Sequence, residues 1–206
     1  MTRRFVPQGV RYAVVALVAG ALAAVRSPFA AVAGVLASGF VLQFYRDPER
    51  QIAPVGVASP ADGRVSVIRE EGDRLRVGVY MSATDVHVNR APLDGTVREV
   101  VRRPGAYKPA FSKDSDNNEQ VELVFDDHSV VLIAGWFARR IHPSVDVGDT
   151  VERGERIGHI SFGSRADVLL PPAVTREDLT VEVGDRVTAG QTALAYEDAS
   201  ERPAAE

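Results

Sequence analysis

The 206-residue chain contains no cysteine. That absence excludes disulfides, thiolate metal sites and a cysteine nucleophile, while leaving the compartment open. Histidine is sparse. His87, His128, His142 and His159 show no H-x-H or H-E-x-x-H spacing, so no metal site is expected. Excess positive charge is also missing, and the net charge of -4 argues against nucleic acid as a partner. The lysines are Lys108 and Lys113, with none beyond. Length allows one domain of about 150 residues and a separate N-terminal segment.

That segment is nearly free of charge. Between Tyr12 and Tyr45 only Arg26 is charged, and Arg26-Ser27-Pro28 divides the run into Tyr12–Val25 and Pro28–Tyr45. A membrane-spanning helix needs about 20 apolar residues, so the first piece is short and the second borderline. Arg3, Arg4 and Arg11 precede the run, and Arg46 and Arg50 follow it. Positive flanks on both sides favour a helical hairpin in the membrane with both ends on the cytoplasmic side. A cleaved signal peptide and a buried soluble helix pair are the competing readings.

After Arg50 the pattern turns to β. Arg64–Arg69 and Arg74–Met81 alternate around Glu70-Glu-Gly-Asp73 as a hairpin. Gly95–Val101, Gln120–Asp126 and Ser129–Ala134 read as further strands, with a polar loop from Tyr107 to Asn118. The expected fold class is mainly β, a barrel or sandwich, over residues 46–196, after an anchor at 1–45 and before a disordered tail at 197–206.

One motif occurs twice. Val145–Gly154 and Val181–Gly190 both fit V-x-V-G-D-x-V-x-x-G, at an offset of 36 residues. Such half-repeats are also what lipoyl- and biotinyl-like β folds show. Between the copies lies Phe162-Gly163-Ser164, followed by the strand-like run Asp167–Leu170. A lone Gly-Ser pair is usually a turn. In a fixed β scaffold it can carry chemistry, because a serine hydroxyl can attack the carbonyl before it and turn the peptide into an ester. Glycine adopts the unusual backbone conformation this needs. Elimination then cuts the chain after Gly163 and leaves dehydroalanine at 164, which hydrolyses to a pyruvoyl group. Such a group condenses with an amine as a Schiff base and withdraws electrons.

The chain resembles the short form of the phosphatidylserine decarboxylase family, whose members self-cleave at a Gly-Ser bond. The landmarks run from about Phe44 to Ala195: Phe44–Arg50, Ser59-Pro-Ala-Asp-Gly63, Asp85-Val-His-Val-Asn-Arg-Ala-Pro92, Asn117-Asn-Glu119 and Phe162–Asp167. The resemblance implies a pyruvoyl-dependent decarboxylase that converts the serine headgroup of a membrane phospholipid to ethanolamine, ester- or ether-linked. It also implies two chains, 1–163 and 164–206, joined as a heterodimer, with any higher oligomer left open.

In longer members two histidines occur as Y-H-x-x-H, and the second pairs with the Asp of A-D-G to activate the serine. Here His87 matches the first and Arg90 stands at the second. A guanidinium cannot act as a conventional base. The expected pair is therefore His87 with Asp62, acting on Ser164 and Gly163. Arg90, Asn89 and Asn118 are the candidates for substrate or oxyanion contacts, Arg90 for its fork geometry. His142 and His159 are second-choice bases, read more simply as polar strand residues.

The alternative is a membrane-anchored lipoyl-like binding or adaptor module without catalysis. A carrier version has no lysine after Lys113 to use. The roughly 20 residues between the repeats, interrupted by Pro171-Pro172, leave no room for an adaptor's long helical hairpin.

Overall fold

The computed structural model describes residues 5–106, 117–135, 140–161 and 163–197. Arg3, Arg4, Lys108, Lys113, Phe162 and the tail beyond Glu197 lie outside the described residues. The chain forms two compact units, Met1–Glu49 and Arg50–Glu206.

The first unit is two 17-residue helices, Pro7–Ala23 and Pro28–Phe44, each with proline in its first turn. Proline suits that place because its missing N–H has no partner to lose there. The helices meet through glycine. A Cβ at Gly20 would lie 2.6 Å from the Gly34 Cα, and a Cβ at Gly34 equally close to Gly20. At the open end the Val6 amide donates to the Tyr45 carbonyl at 2.9 Å. The hairpin shape follows from the break at Arg26-Ser27-Pro28, but the expected membrane span does not. Among the described residues no helix is long and apolar enough to cross a membrane. Seventeen residues reach only about 25 Å, short of a hydrocarbon core of about 30 Å.

The second unit is built on a seven-stranded antiparallel sheet. Its order is Arg186–Val187, Gly63–Glu71, Arg74–Met81, Ser164–Leu169, Ser129–Ile133, Gln120–Val124, Glu99–Arg103. A three-stranded sheet orders Val88–Arg90, Arg156–Ile160 and Ile141–Pro143. Two short pairs join Val57–Ala58 to Ala193–Ala195 and Gly95–Thr96 to Thr150–Val151. The predicted hairpin over 64–81 is present, its turn made by Gly72 at φ +65°. The predicted strand 95–101 is broken in two, since Val97 leaves the ladder to donate to the Asp149 carbonyl.

Alternation puts the core on one face of the large sheet. Val65, Val79, Ala166, Leu132 and Val121 form one cross-strand row, and Val77, Val168, Val130 and Leu123 the next, all fully buried. Continuing the first row by two residues brings Ser164 opposite Met81 on this same apolar face.

Candidate active site

Ser164 opens its strand instead of lying before it. The run predicted to start at Asp167 begins three residues earlier, so Ser164 pairs with Met81 and is completely buried. Its Oγ has no hydrogen-bond partner among the described residues. Leaving a buried hydroxyl unsatisfied costs roughly 1–3 kcal/mol, so its persistence calls for an explanation. Gly163 before it has φ +67° with open space where a Cβ would sit, so glycine is needed there for conformation and not for room. The scissile bond thus joins a left-handed residue to the first residue of a fixed central strand.

His87 is buried on the connection leading from Met81 into the three-stranded sheet. That connection runs beside the one leading from Ile160 to Ser164: Met81 faces Ser164, and the Ile160 amide donates to the His87 carbonyl at 3.2 Å. Asp85 stiffens the loop by accepting from the Ser82 amide and hydroxyl, at 2.8 and 2.6 Å, and from Arg186 at 2.8 Å. His87 Nδ1 lies 3.0 Å from the Asp85 carbonyl oxygen. A carbonyl only accepts, so Nδ1 carries the hydrogen and the lone pair of the neutral ring is on Nε2. That tautomer is the one a proton acceptor needs.

Asp62 is not what orients it. Its carboxylate accepts from Arg50 at 2.8 Å and from the Ala189 amide at 2.8 Å. The expected pairing of Asp62 with His87 gives way to the Asp85 carbonyl, and a second duplication explains why. Ser59-Pro-Ala-Asp-Gly-Arg-Val65 and Ala91-Pro-Leu-Asp-Gly-Thr-Val97 share P-x-D-G-x-V at an offset of 32 residues. Each copy clasps one V-x-V-G-D repeat. Asp94 accepts from the Arg153 amide at 2.6 Å, as Asp62 does from Ala189. Gly148 and Gly184, both left-handed, donate to the carbonyls of Val97 and Val65, each at 2.8 Å. The halves also cross over: Arg90 N donates to Pro60 O and Ala58 N to Pro92 O, each at 2.9 Å. Asp62 therefore has a structural twin. The signal for it in the sequence is the pair of P-x-D-G-x-V segments, which lie far from the Gly-Ser pair.

Arg90 turns toward the same junction. Its guanidinium donates to the Gly154 carbonyl at 2.8 Å, and its Cδ lies against Gly190, whose own Cβ position is 3.6 Å from Gly154 Cα. The final glycines of both repeats thus touch beside Arg90. Asn89, the next residue back, goes the other way. It is fully buried, with Nδ2 aimed at the Pro60 carbonyl (3.5 Å) and the Met81 sulfur (3.7 Å). Asn118 is buried on the opposite side of the serine's strand and donates to the Ala134 carbonyl at 2.8 Å. Asn89 and Asn118 thus flank the row that contains Ser164, while Asp62 and Arg90 bind the repeat junction.

On the other sheet face, Arg165 and Asp167 of the Phe162–Asp167 landmark form an ion-pair chain with Arg76 and Glu71 of the hairpin. Arg165 grips Asp167 through Nε at 2.7 Å and a terminal nitrogen at 2.8 Å, and Arg76 adds a bond at 3.0 Å. Arg76 also binds Glu71 twice, at 2.6 and 2.7 Å. Burial by itself would lower the Arg76 pKa, but the hydrogen bond to Glu71 and the charge of Asp167 outweigh it and hold the pKa above its ordinary value. The chain fastens the strand that starts at Ser164 to its neighbour.

The remaining histidines make ring contacts. His142 and His159 face each other across strands and stack at 4.7 Å. Burial, with His142 beside it, pulls His159 down to about 4. His142 is lowered by its own burial and by the charges of Arg140 and Arg102. His128 stacks on Phe125 at 4.4 Å within the core. Among the described residues no group of His, Asp and Glu could hold a metal ion.

Comparison with known proteins places these residues in context. The sequence profile of the phosphatidylserine decarboxylase family matches residues 37–195. A Halobacterium salinarum protein named "Putative archaetidylserine decarboxylase proenzyme" is 53% identical over 186 residues, covering 90% of this chain and 95% of that one. A Streptomyces griseus phosphatidylserine decarboxylase proenzyme is 51% identical over 164 residues, 77% of this chain and 74% of its own. One from Streptomyces avermitilis is 49% identical over 180 residues, 85% and 80% of the respective chains.

Proposed function

The chain belongs to the phosphatidylserine decarboxylase family, and we propose that it cuts itself between Gly163 and Ser164 and removes the carboxylate from the serine headgroup of a phospholipid. The observation that carries this reading is the buried Ser164 hydroxyl, without a hydrogen-bond partner among the described residues, directly after left-handed Gly163. A structural serine on an apolar sheet face would bond a nearby carbonyl, as Ser59 does with Ala61. One left unsatisfied is available for attack on the preceding carbonyl.

The residues present fit a pyruvoyl group at position 164, since the strand fixes that residue and an open, side-chain-free glycine precedes it. Such a group supplies an electrophilic carbonyl for the headgroup amine and a sink for the electrons released with CO2. His87 Nε2 takes the hydroxyl proton during maturation and returns a proton to the headgroup carbon during turnover. Asn118 holds the Ala134 carbonyl in place beside the serine's strand. Arg90 holds the repeat junction through the Gly154 carbonyl. The apolar row around Ser164 keeps water from the reacting atoms.

The two products of the cut, 1–163 and 164–206, stay together. Ser164–Leu169 is bonded on one side to Arg74–Met81 and on the other to Ser129–Ile133, both in the larger fragment. The proenzyme names of the relatives agree with such a precursor.

The helical unit attaches the enzyme to the cell membrane with the β unit on the cytoplasmic side. Leu22 and Phe29 are 70% and 81% exposed, which water disfavours and lipid accepts. Deleting residues 1–43 should free the protein from membranes, and a full-length protein found wholly in the soluble fraction would contradict attachment.

The test of function is the intact mass of the purified protein, followed by CO2 release from serine-headgroup lipid. Two fragments divided at 163/164, the second starting with a pyruvoyl mass, are expected, and Ser164→Ala should remain one inactive chain. A wild-type protein that stays full length removes the proposal. The binding-module alternative predicts that outcome, but nothing in the repeat hairpins favours it.

A further inference from the structure

We propose that Asn89 is a positioning residue for self-cleavage: its Oδ1 accepts the Ser164 hydroxyl hydrogen and turns the oxygen toward the Gly163 carbonyl. This rests on the self-cleavage reading above. In that step the Ser164 oxygen bonds to the Gly163 carbonyl carbon and the C–N bond breaks. As the oxygen attacks, its hydrogen leaves Asn89 Oδ1 for His87 Nε2 and ends on the Ser164 nitrogen, which becomes a free amine. A neutral amide cannot keep a proton, so Asn89 orients the hydroxyl while His87 carries the charge.

The duplication of the β unit makes Asn89 conspicuous. The P-x-D-G-x-V segments put Asn89 at the place held in the other half by Val57, three residues before the proline. Both side chains are completely buried. Both residues sit on short antiparallel strands beside a register irregularity, Val57 opposite Ala195 and Asn89 opposite Gly158. The fold is therefore satisfied by an apolar side chain at this place, and an amide here weakens the core unless it has other work.

The amide is half used. Nδ2 points at two acceptors, the Pro60 carbonyl and the Met81 sulfur, and this fixes which end of the amide is which. Oδ1 is buried and has no partner among the described residues. Ser164 Oγ is in the same condition. Met81 joins the two: it is the strand partner of Ser164, and its sulfur touches the Asn89 amide. The described residues thus hold an acceptor without a donor and a hydroxyl without an acceptor, each next to Met81 and not bonded to each other in this structure. The Pro60 carbonyl, within Ser59-Pro-Ala-Asp-Gly63, also receives the Arg90 amide, so the segment's backbone aims Asn89.

The deciding experiment converts one half into the other. Asn89→Val should fold with a melting temperature at or above the parent's, yet lose precursor about 10²-fold more slowly, the size of effect expected when a reacting group is misplaced. Asn89→Asp keeps an acceptor in both protonation states but a stronger one when ionised, so its cutting should speed up as pH rises, a dependence the parent lacks at this residue. A purely structural Asn89 predicts the reverse order: valine cuts normally and aspartate, a buried charge, fares worst. Precursor loss is followed by denaturing gel and intact mass after synthesis, with melting curves recorded on each protein. An Asn89→Val protein that cuts at the parental rate overturns the proposal. Should that variant fail to fold, the aspartate decides alone, and an unchanged pH profile overturns it. A parent that never cuts overturns the self-cleavage reading as well, which separates the two failures.

Discussion

Segments 57–65 and 89–97 run through the same hydrogen-bond scheme with different side chains. Each lends a carbonyl to a left-handed repeat glycine, Gly184 or Gly148, and an aspartate to the amide before the next, Gly190 or Gly154. Outside those shared bonds they diverge. The first segment enters through Val55, Val57 and Ala58, the second through His87, Asn89 and Arg90. One half of the duplicated unit keeps the shape, and its twin carries polar groups that the shape does not require. The comparison therefore sorts candidate residues: whatever both halves possess serves the fold, and whatever only one possesses is free to serve chemistry.

The largest effect should appear where the halves differ at a titratable group. His87→Ala should accumulate uncut precursor, since losing a general base costs about 10²–10⁴-fold in rate, whereas Val55→Ala should mature normally. A denaturing gel time course compares them. Equal rates in both would move the base elsewhere, with His142 and His159 next in line.

Where the halves agree, the effect should fall on stability. Asp62→Asn and Asp94→Asn each weaken one clasp, by about 1–2 kcal/mol for a hydrogen bond to a charged group. Asp62 should lose more, because Arg50 loses its carboxylate partner and keeps only Gln191 among the described residues, while Asp94 is exposed. Both should still cut once folded. A cutting defect confined to Asp62→Asn in a stable protein would break the equivalence and restore Asp62 as the orienting carboxylate.

The smallest effect concerns pH. Burial holds His159 near 4 in the folded chain, against an unfolded value of about 6.5. The unfolded state therefore binds more protons between those values, and stability falls as pH drops through that window. His159→Gln should flatten that part of the profile in melting curves taken from pH 7 to 4. An unaltered slope would assign the acid sensitivity to another group.

The ion-pair chain illustrates what sequence reading misses. The strand expected at Asp167–Leu170 begins at Ser164 and carries Arg165, a buried arginine that composition disfavours. It is tolerated because Asp167 meets it twice and is itself met by Arg76, which sits 91 residues away from Asp167 in the chain. Likewise the membrane span expected from a long uncharged run was not found: the break at Arg26-Ser27-Pro28 cuts it into helices too short to cross.

The sequence by itself determined the family, the repeat pair on either side of Gly163-Ser164 and the turn that folds the N-terminal run back. These depend on residues adjacent in the chain or at fixed offsets, where local backbone preference and pattern are enough. Tertiary structure alone decided the partners. Asp62 binds Ala189, 127 residues on, and not His87; Asn89 meets Met81, and Ser164 is buried without a partner among the described residues. A hydrogen bond depends on which groups the closed sheets bring within about 3 Å, and spacing along the chain does not contain that information.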